Sequence, residues 1–311
     1  MKKAILSLLA LPLLFACSSE ENESGGKTGR VPLQIEFDGI TRAAITGTTL
    51  PNESQLGVFA FTKSNSPYST VVEDGDNNRV VYNDGKCEFN KLIYIPEGGS
   101  LYTWAYYPYD VNQSKTMLSD GWVLDASQQK DYLVSSSSQY ASESNPTIKL
   151  VLRHLMSRIH VTLKKAENNT KEYYYKEMYL KNAYKTGRYI MTSGSISLDK
   201  TVTTLYGYTT NNNSSLQDGK VVEFDFLVLP TTSNYTMDIE LPNSDPELKA
   251  SLQSRKYVAG EQYNVTLTIN HLGELEVGDW TIVPWDSNTQ EGLDVWKDNK
   301  TIETIVPKPL Y

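Results

Sequence analysis

Several stretches of the sequence alternate apolar and polar residues with a period of two, the pattern of a β-strand that buries one face. The first such stretch has its apolar members at Val31, Leu33, Ile35 and Phe37. Two later stretches have theirs at Val222, Phe224, Phe226, Val228 and at Tyr263, Val265, Leu267, Ile269. Gly and Pro turn signals separate the stretches, and no amphipathic helix of convincing length follows residue 17. The sequence therefore predicts an all-β protein, with evenly spaced strands typical of a β-sandwich.

Length and charge limit the organisation and the partners. The chain has 311 residues, which suggests about two domains at the usual ~100–200 residues each. We expect the chain to pass from the first domain to the second between Pro146 and Lys165. We therefore assign one β-sandwich to residues 43–154 and a second to residues 155–286. The net charge of −8 disfavours nucleic acid as a partner, because nucleic-acid binding needs a basic surface.

The N-terminus carries an export signal. A positive start at Lys2 and Lys3 precedes a short apolar run that ends in Ala16-Cys17. The run is too short to span a bilayer, and a small residue before the cysteine looks like a bacterial lipobox. We predict that residues 1–17 are a lipoprotein signal peptide and that Cys17 is lipidated; an ordinary secretion signal with a chance cysteine is the alternative. Cys87 then has no partner for an internal disulfide, and its role is open.

Residues 18–42 form a polar spacer followed by the first predicted strand. Pro32 places that strand at a sheet edge or marks where it begins, and Asp38-Gly39 is a turn signal. Burial of the four apolar residues contributes roughly 6–12 kcal/mol gross, at ~1.5–3 kcal/mol each. That is comparable to the net stability of a whole domain, ~5–15 kcal/mol. Loss of this strand would leave an apolar slot and unpaired backbone groups, which favours the binding of another strand.

The chain continues past the second predicted domain. Residues 287–311 contain two strand-like pieces that belong to neither sandwich. The apolar residues of these pieces are Leu293, Val295, Ile302, Ile305 and Val306, and the tail needs an explanation.

Enzymatic and metal-binding patterns are weak. The histidines at 154, 160 and 271 make no zinc or nucleophile pattern with one free cysteine, so His154 is expected to be structural. The Asp74–Asn78 stretch departs from the calcium-loop template and is expected to be a turn. We predict no catalytic activity, metal or cofactor. The aromatic set Trp104, Tyr106, Tyr107 and Tyr109 is expected to be mainly core, with a sugar-binding platform as the alternative.

Several ordered segments together resemble the fimbrillin family, the subunits of the type V pili of Bacteroidetes. Acidic residues directly after Cys17 also resemble the surface-export signal of lipoproteins from these bacteria, although a solvated spacer would look the same. The resembling segments are the lipobox, Thr41-Arg42-Ala43, Gly57-Val58-Phe59-Ala60, Tyr102 to Pro108, Asp131-Tyr132-Leu133-Val134, Leu152 to Ile159, Gly260-Glu261-Gln262-Tyr263 and Ile282-Val283-Pro284-Trp285.

The resemblance implies two transthyretin-like β-sandwich domains in tandem. It implies passage through the periplasm, a lipid anchor in the outer membrane, and cleavage after an arginine by a trypsin-like protease. Arg42 matches the cleavage position best and would leave Ala43 as the new N-terminus; cleavage at Arg30 would remove the lipid but leave the strand. The cut removes the first strand, and a strand of another pilin subunit fills the apolar slot that it leaves.

The expected function is a structural subunit of a cell-surface fimbria that supports adhesion to a host protein or glycan. Under this resemblance we name the tail 287–311 as the candidate donor strand. A shaft subunit is therefore favoured over a tip subunit, because a tip subunit need not donate a strand. Two alternatives stay open: a pilus anchor that keeps its lipid, and a monomeric surface lipoprotein that binds glycans through Trp104 and Trp122.

Overall fold

The computed structural model describes residues 30–40, 50–135, 139–173, 175, 177–208, 216, 220–242 and 247–285. Within these ranges the chain is almost entirely β-structure, which confirms the all-β prediction. The helical part is one α-helix, α1 (Thr116–Asp120), with two short 3₁₀ turns at Tyr68–Thr70 and Ala126–Gln128. Neither α1 nor the 3₁₀ turns of this described part has the length and apolar character that a membrane-spanning helix needs.

Nine strands lie in the described part of the chain up to His154. They are β1 (Gln34–Ile40), β2 (Ser54–Phe61), β3 (Asn78–Asn83), β4 (Lys86–Phe89), β5 (Ser100–Tyr107), β6 (Trp122–Asp125), β7 (Leu133–Ser135), β8 (Gln139–Ser142) and β9 (Thr147–His154). Eight of them form one sheet in the order β2-β3-β4-β1-β9-β7-β5-β8. Strand β2 also pairs with β5, so the sheet closes on itself.

The interior of this closed sheet is a hydrophobic cluster to which nearly every strand contributes. Its members include Leu33 and Ile35 from the first strand and Ile148, Leu150 and Leu152 from β9. Strands β2 and β5 are buried on both faces, because their other faces belong to a second cluster that continues into the later half of the chain. A continuous apolar run such as Leu56–Phe61 is the sequence expected for a strand covered on both sides.

The later half supplies ten strands among the described residues. They are β10 (Ser157–Lys165), β11 (Glu177–Tyr184), β12 (Thr186–Ile190), β13 (Ser195–Leu198), β14 (Val202–Tyr208), β15 (Val222–Val228), β16 (Asp238–Leu241), β17 (Leu248–Ser251), β18 (Glu261–Ile269) and β19 (Leu275–Pro284). Two four-stranded sheets, β15-β10-β18-β19 and β14-β11-β16-β17, line the second hydrophobic cluster. The alternating residues of β15 and β18 point into that cluster, as their sequence predicts.

Strand β6 joins the two halves. It lies in the stretch 111–129, whose local sequence is typical of a long loop, yet it pairs with β12 in a three-stranded sheet β13-β12-β6. Gln129 adds a second connection: its side-chain Nε2 donates to the Leu227 carbonyl at 2.8 Å, and Leu227 N–H donates to its Oε1 at 2.9 Å. The amide group thus pairs with β15 much as a neighbouring strand would, and residues 122–129 contact the half that the sequence assigns to residues 155–286.

Some element boundaries differ from the expected ones. The strand-like pattern of Cys87–Ile95 forms a regular strand only to Phe89, the last residue of β4. Asp38-Gly39 does not end the first strand. Gly39 adopts a φ of 123°, and the pairing of β1 with β9 shifts register there, so a bulge replaces the expected turn.

Candidate assembly site at strand β1

Strand β1 is held on one side by β9. The two strands run parallel, from the pair Gln34–Thr147 to the pair Ile40–Leu152. Two further contacts anchor the first end: Gln34 N–H donates to the Pro146 carbonyl at 2.9 Å, and the Thr147 hydroxyl donates to Gln34 Oε1 at 3.0 Å. A parallel ladder joins two strands that are distant in sequence, so it does not depend on a covalent turn between them.

The buried face of β1 fits the alternation in the sequence, with one addition. Leu33 is 1% exposed and Ile35 is 8% exposed, whereas Val31 and Phe37 are half-buried. Ile40 is also buried, because the bulge at Gly39 turns its side chain inward. The sequence argument did not single out Ile40; its only signal is an apolar residue directly after a glycine at the end of the strand.

The other side of β1 has few pairings. Glu36 pairs with Lys86 of β4, and Pro32 pairs with Tyr94 through the bonds Leu33 N to Ile93 O and Ile95 N to Val31 O. Positions 32 and 36 are four residues apart, whereas their partners 94 and 86 are eight apart. The segment 87–92 therefore bows away from β1 between two fixed points, as a bulge of several residues would.

A groove lies between the bowed segment and β1, with a volume of about 580 Å³. One wall is residues 32–36, the other is residues 85–89 with Leu92, and Thr147 lies at the end. Leu92 is 55% exposed although it is apolar. Cys87 lies half-buried in the wall, and burial raises the pKa of its thiol to about 11.

The position of β1 in the sheet determines what its removal would do. Because β2 pairs with β5, the sheet is a closed ring, and β1 is the member between β4 and β9. Without β1, the ring would open at this place and would expose the edge of β9 and the buried residues Ile148 and Leu150. An extended peptide that pairs with β9 would restore both the ladder and the core.

Three residues from different predicted motifs meet at a second location. His154 Nδ1 lies 2.9 Å from a carboxylate oxygen of Asp131, and both side chains are 3% exposed. The His154 ring stacks on the Trp285 ring, whose own backbone N–H donates to the Gly260 carbonyl at 2.8 Å. His154 is therefore a packed and hydrogen-bonded residue, as expected.

The aromatic set does not provide the surface that a sugar platform would need. Trp104, Tyr106 and Trp122 are all buried, at 9%, 0% and 3% exposed. Trp122 packs between the rings of Tyr106 and Tyr132 at centroid distances of 5.0 and 5.1 Å. The two tryptophans that the glycan-binding alternative relies on are core residues.

The charged residues of the second half form a paired network on the outward side of β10 and β15. Arg158 donates two hydrogen bonds of 2.8 Å to Asp225, and His160 Nδ1 lies 3.0 Å from the same carboxylate. Burial by itself would raise the pKa of Asp225, but hydrogen bonds from His160 and Arg158 outweigh it and lower the pKa to about 2. Across the described ranges no group of three or more His, Cys, Asp or Glu side chains could hold a metal ion.

Other predicted site residues lie outside the described residues. These are the lipidation residue Cys17, the cleavage pair Arg42 and Ala43, and the candidate donor residues Leu293, Val295, Ile302, Ile305 and Val306. Arg30, the other arginine considered for cleavage, is exposed.

Comparison with known proteins identifies the family. A model described as fimbrillin-like matches residues 41–285, which is well over half of the chain. The chain belongs to the fimbrillin-like family. The match begins at the residue directly after β1 and ends at Trp285, so β1 lies just outside it. Membership implies a fimbrial subunit at the cell surface.

Individual relatives agree with this assignment. The chain is 25% identical over 317 aligned residues to the protein named "Putative fimbrium subunit Fim1C" of Bacteroides uniformis, and the alignment covers 90% of this chain and 96% of the relative. Two crystal structures, each of a "putative cell adhesion protein", share the fold. The one from Bacteroides uniformis has a TM-score of 0.62 at 18% identity and covers 84% of this chain and all of its own. The one from Bacteroides ovatus has a TM-score of 0.58 at 13% identity and covers 83% and 99%.

Proposed function

We propose that this fimbrillin-like protein is a structural subunit of a cell-surface fimbria that assembles by donor-strand exchange. In this proposal the precursor is exported as a lipoprotein, lipidated at Cys17, and is cut by a trypsin-like protease after Arg42. The cut separates β1 from the rest of the chain. The observation that carries the proposal is the position of β1: it lies inside a closed sheet, yet it is held mainly by non-covalent pairing to β9 and is followed two residues later by Arg42.

The same side chains that hold β1 define what an incoming strand must supply. Leu33, Ile35 and Ile40 fill the interior beside Ile148, Leu150 and Leu152 of β9. A donor strand therefore needs apolar side chains at alternate positions and must run parallel to β9. The tail 287–311 of another subunit contains two candidate pieces with such residues, which favours a shaft subunit that both donates and accepts a strand.

The proposal extends to the architecture and the other partners. We assign residues 43–154 and 155–286 to two transthyretin-like domains in tandem, with residues 122–129 reaching across to the second. Before cleavage the lipid would hold the precursor at the outer membrane; an anchor subunit would keep that lipid. A host protein or glycan is the expected target of the assembled fibre.

The experiment that tests the proposal starts from purified precursor and a trypsin-like, arginine-specific protease. We expect N-terminal sequencing to give Ala43 and gel electrophoresis in mild detergent to give a ladder of polymers. An Arg42→Ala variant should keep β1 and stay monomeric, whereas Arg30→Ala should assemble normally. Normal polymers from Arg42→Ala with β1 still attached would contradict the proposal.

A further inference from the structure

The groove under the bow of residues 87–92 is a distinct feature of the sheet. It lies beside the first half of β1, between the pairs Glu36–Lys86 and Pro32–Tyr94. The opposite side of β1 has no such gap, since β1 pairs there with β9 from Gln34 to Ile40. Replacement of β1 by an incoming strand must begin at some point of contact, and the groove on the β4 side of β1 offers one.

The walls of the groove fit an extended polypeptide. One wall is the backbone of residues 32–36, and the other is β4 with the preceding Gly85 and the following Leu92. Leu33 N–H is already bonded to the Ile93 carbonyl, and this bond shows which side of the strand faces the groove. In a pleated strand the backbone groups of Ile35, two residues later, face the same side. Backbone groups on two facing strands, together with exposed Leu92 and half-buried Phe89, suit a peptide that pairs by its backbone and inserts apolar side chains.

The position of the groove also matters energetically. If β1 left before any strand arrived, the buried side chains Leu33, Ile35 and Ile40 and their pockets would all be exposed to water at once. A strand that already pairs in the groove can replace these contacts one residue at a time. Exchange through such an intermediate has a lower barrier than exchange through an empty slot.

We propose that the groove between residues 32–36 and 85–92 is the docking site where an extended segment of a second copy of this chain enters before β1 leaves. The inference rests on the proposed function and adds the entry point to it. The occupant is the tail of the second copy, because residues 286–311 follow Trp285 and could extend over roughly 85 Å at ~3.3 Å per residue. Pairing along residues 32–36 would need only about 17 Å of that length, at ~3.3 Å per residue.

The docking step is tested first without cleavage. The probe is a synthetic peptide of residues 287–311, added to the full-length Arg42→Ala precursor, which retains β1. Cys87 lies in the wall, so maleimide labelling of its thiol reports on the groove, with Cys17 replaced by Ser. We expect the peptide to slow labelling at least fivefold and a scrambled peptide to leave it unchanged. Unchanged labelling with the authentic peptide would overturn the proposal.

A substitution in the wall tests the effect on assembly. Leu92→Glu should reduce the initial rate of polymer growth at least tenfold after protease treatment, while cleavage at Arg42 continues at the normal rate. Leu272→Glu is the matched control, since Leu272 is 70% exposed and lies far along the chain before β19; its rate should stay within twofold. Thermal unfolding of both variants identifies a folding defect, and Leu92→Ser replaces Leu92→Glu if the charge unfolds the protein.

The outcomes separate the two proposals. If the wild-type protein is cut after Arg42 and forms no polymer, the proposed function fails. If it polymerises and Leu92→Glu polymerises at the same rate, only the docking inference fails. If deletion of residues 18–29 speeds the labelling of Cys87 and the peptide has no effect, the chain's own N-terminal residues 18–29 occupy the groove, and the inference is wrong.

Discussion

The imidazole ring of His154 lies flat on the indole ring of Trp285, with ring centroids 4.0 Å apart and planes 16° from parallel. Trp285 is 4% exposed and is the last residue of the described chain. This contact holds Trp285, and so the last described residue before the tail, against the core.

The position of Trp285 leads to a prediction about two deletions. Removal of residues 287–311 keeps Trp285 and its contacts, so the melting temperature should stay within about 2 °C while assembly is lost. Removal of residues 285–311 also takes away a buried aromatic side chain, which costs about 3–5 kcal/mol. Circular dichroism on heating, with polymer ladders on gels, checks both. Polymers of normal length from the shorter deletion would exclude the tail as donor.

A second prediction concerns the anchoring of β1. Leu33→Ala should destabilise the uncleaved precursor by about 2–5 kcal/mol, because Leu33 is 1% exposed in the core of the closed sheet. Val31→Ala should cost less, since Val31 is half-buried. Urea unfolding of the two precursors measures the difference. Equal losses would mean that β1 is not held through its buried face.

The close contact of Gly57 with Tyr106 gives a third prediction. A Cβ at Gly57 would lie 2.7 Å from the Tyr106 hydroxyl oxygen and closer still to the ring carbons. Tyr106 has little freedom to move, because its hydroxyl donates to Asn77 Oδ1 at 2.7 Å. Gly57→Ala should therefore destabilise the protein by about 3 kcal/mol, at the upper end of the usual cost of overpacking.

A double-mutant cycle isolates that contact. Tyr106→Ala removes the ring that a new methyl group would meet, so Gly57→Ala should cost much less in that background, and the coupling should exceed about 1 kcal/mol. Additive losses in urea unfolding would show that Gly57→Ala does not act through the Tyr106 ring.

Acid stability is the subject of the fourth prediction. The folded protein lowers the pKa of Asp225 from 3.8 to about 2, so between those values the unfolded chain binds more protons than the folded one. The stabilisation by Asp225, about 2 kcal/mol, is complete above pH 4 and is lost as the pH falls towards 2. Urea unfolding at pH 5, 3 and 2 measures this loss.

Two variants separate the Asp225 contribution from general acid effects. Asp225→Asn should flatten the pH dependence in this window, and it should also cost about 3–5 kcal/mol at neutral pH, because the buried Arg158 loses its charge partner. Asp279→Asn, on the exposed side of β19, should leave both properties unchanged. The same acid slope in Asp225→Asn would show that other carboxylates determine it.

Local patterns were sufficient for much of the fold. Alternation placed β1, β15 and β18 and assigned their buried faces, because a strand with one covered face needs apolar residues at every second position. The sequence does not predict strand β6, because its local sequence resembles a loop and the strand it pairs with, β12, lies some sixty residues later. The sequence predicts a turn at Asp38-Gly39 where the structure has a bulge, since an Asp-Gly dipeptide is suited to both.

The sequence by itself determined that this chain is all-β, that its first strand has apolar residues at alternate positions and is followed by an arginine, and that it belongs with the fimbrial subunits. Each of these properties follows from short-range residue patterns or from the order of motifs along the chain. Only the tertiary structure decided that β1 lies inside a closed ring, that a bowed segment leaves a groove beside it, and that Trp104 and Trp122 are core residues. These depend on which distant strands meet, and pairing between distant strands is set by the whole fold because no local sequence specifies its partner.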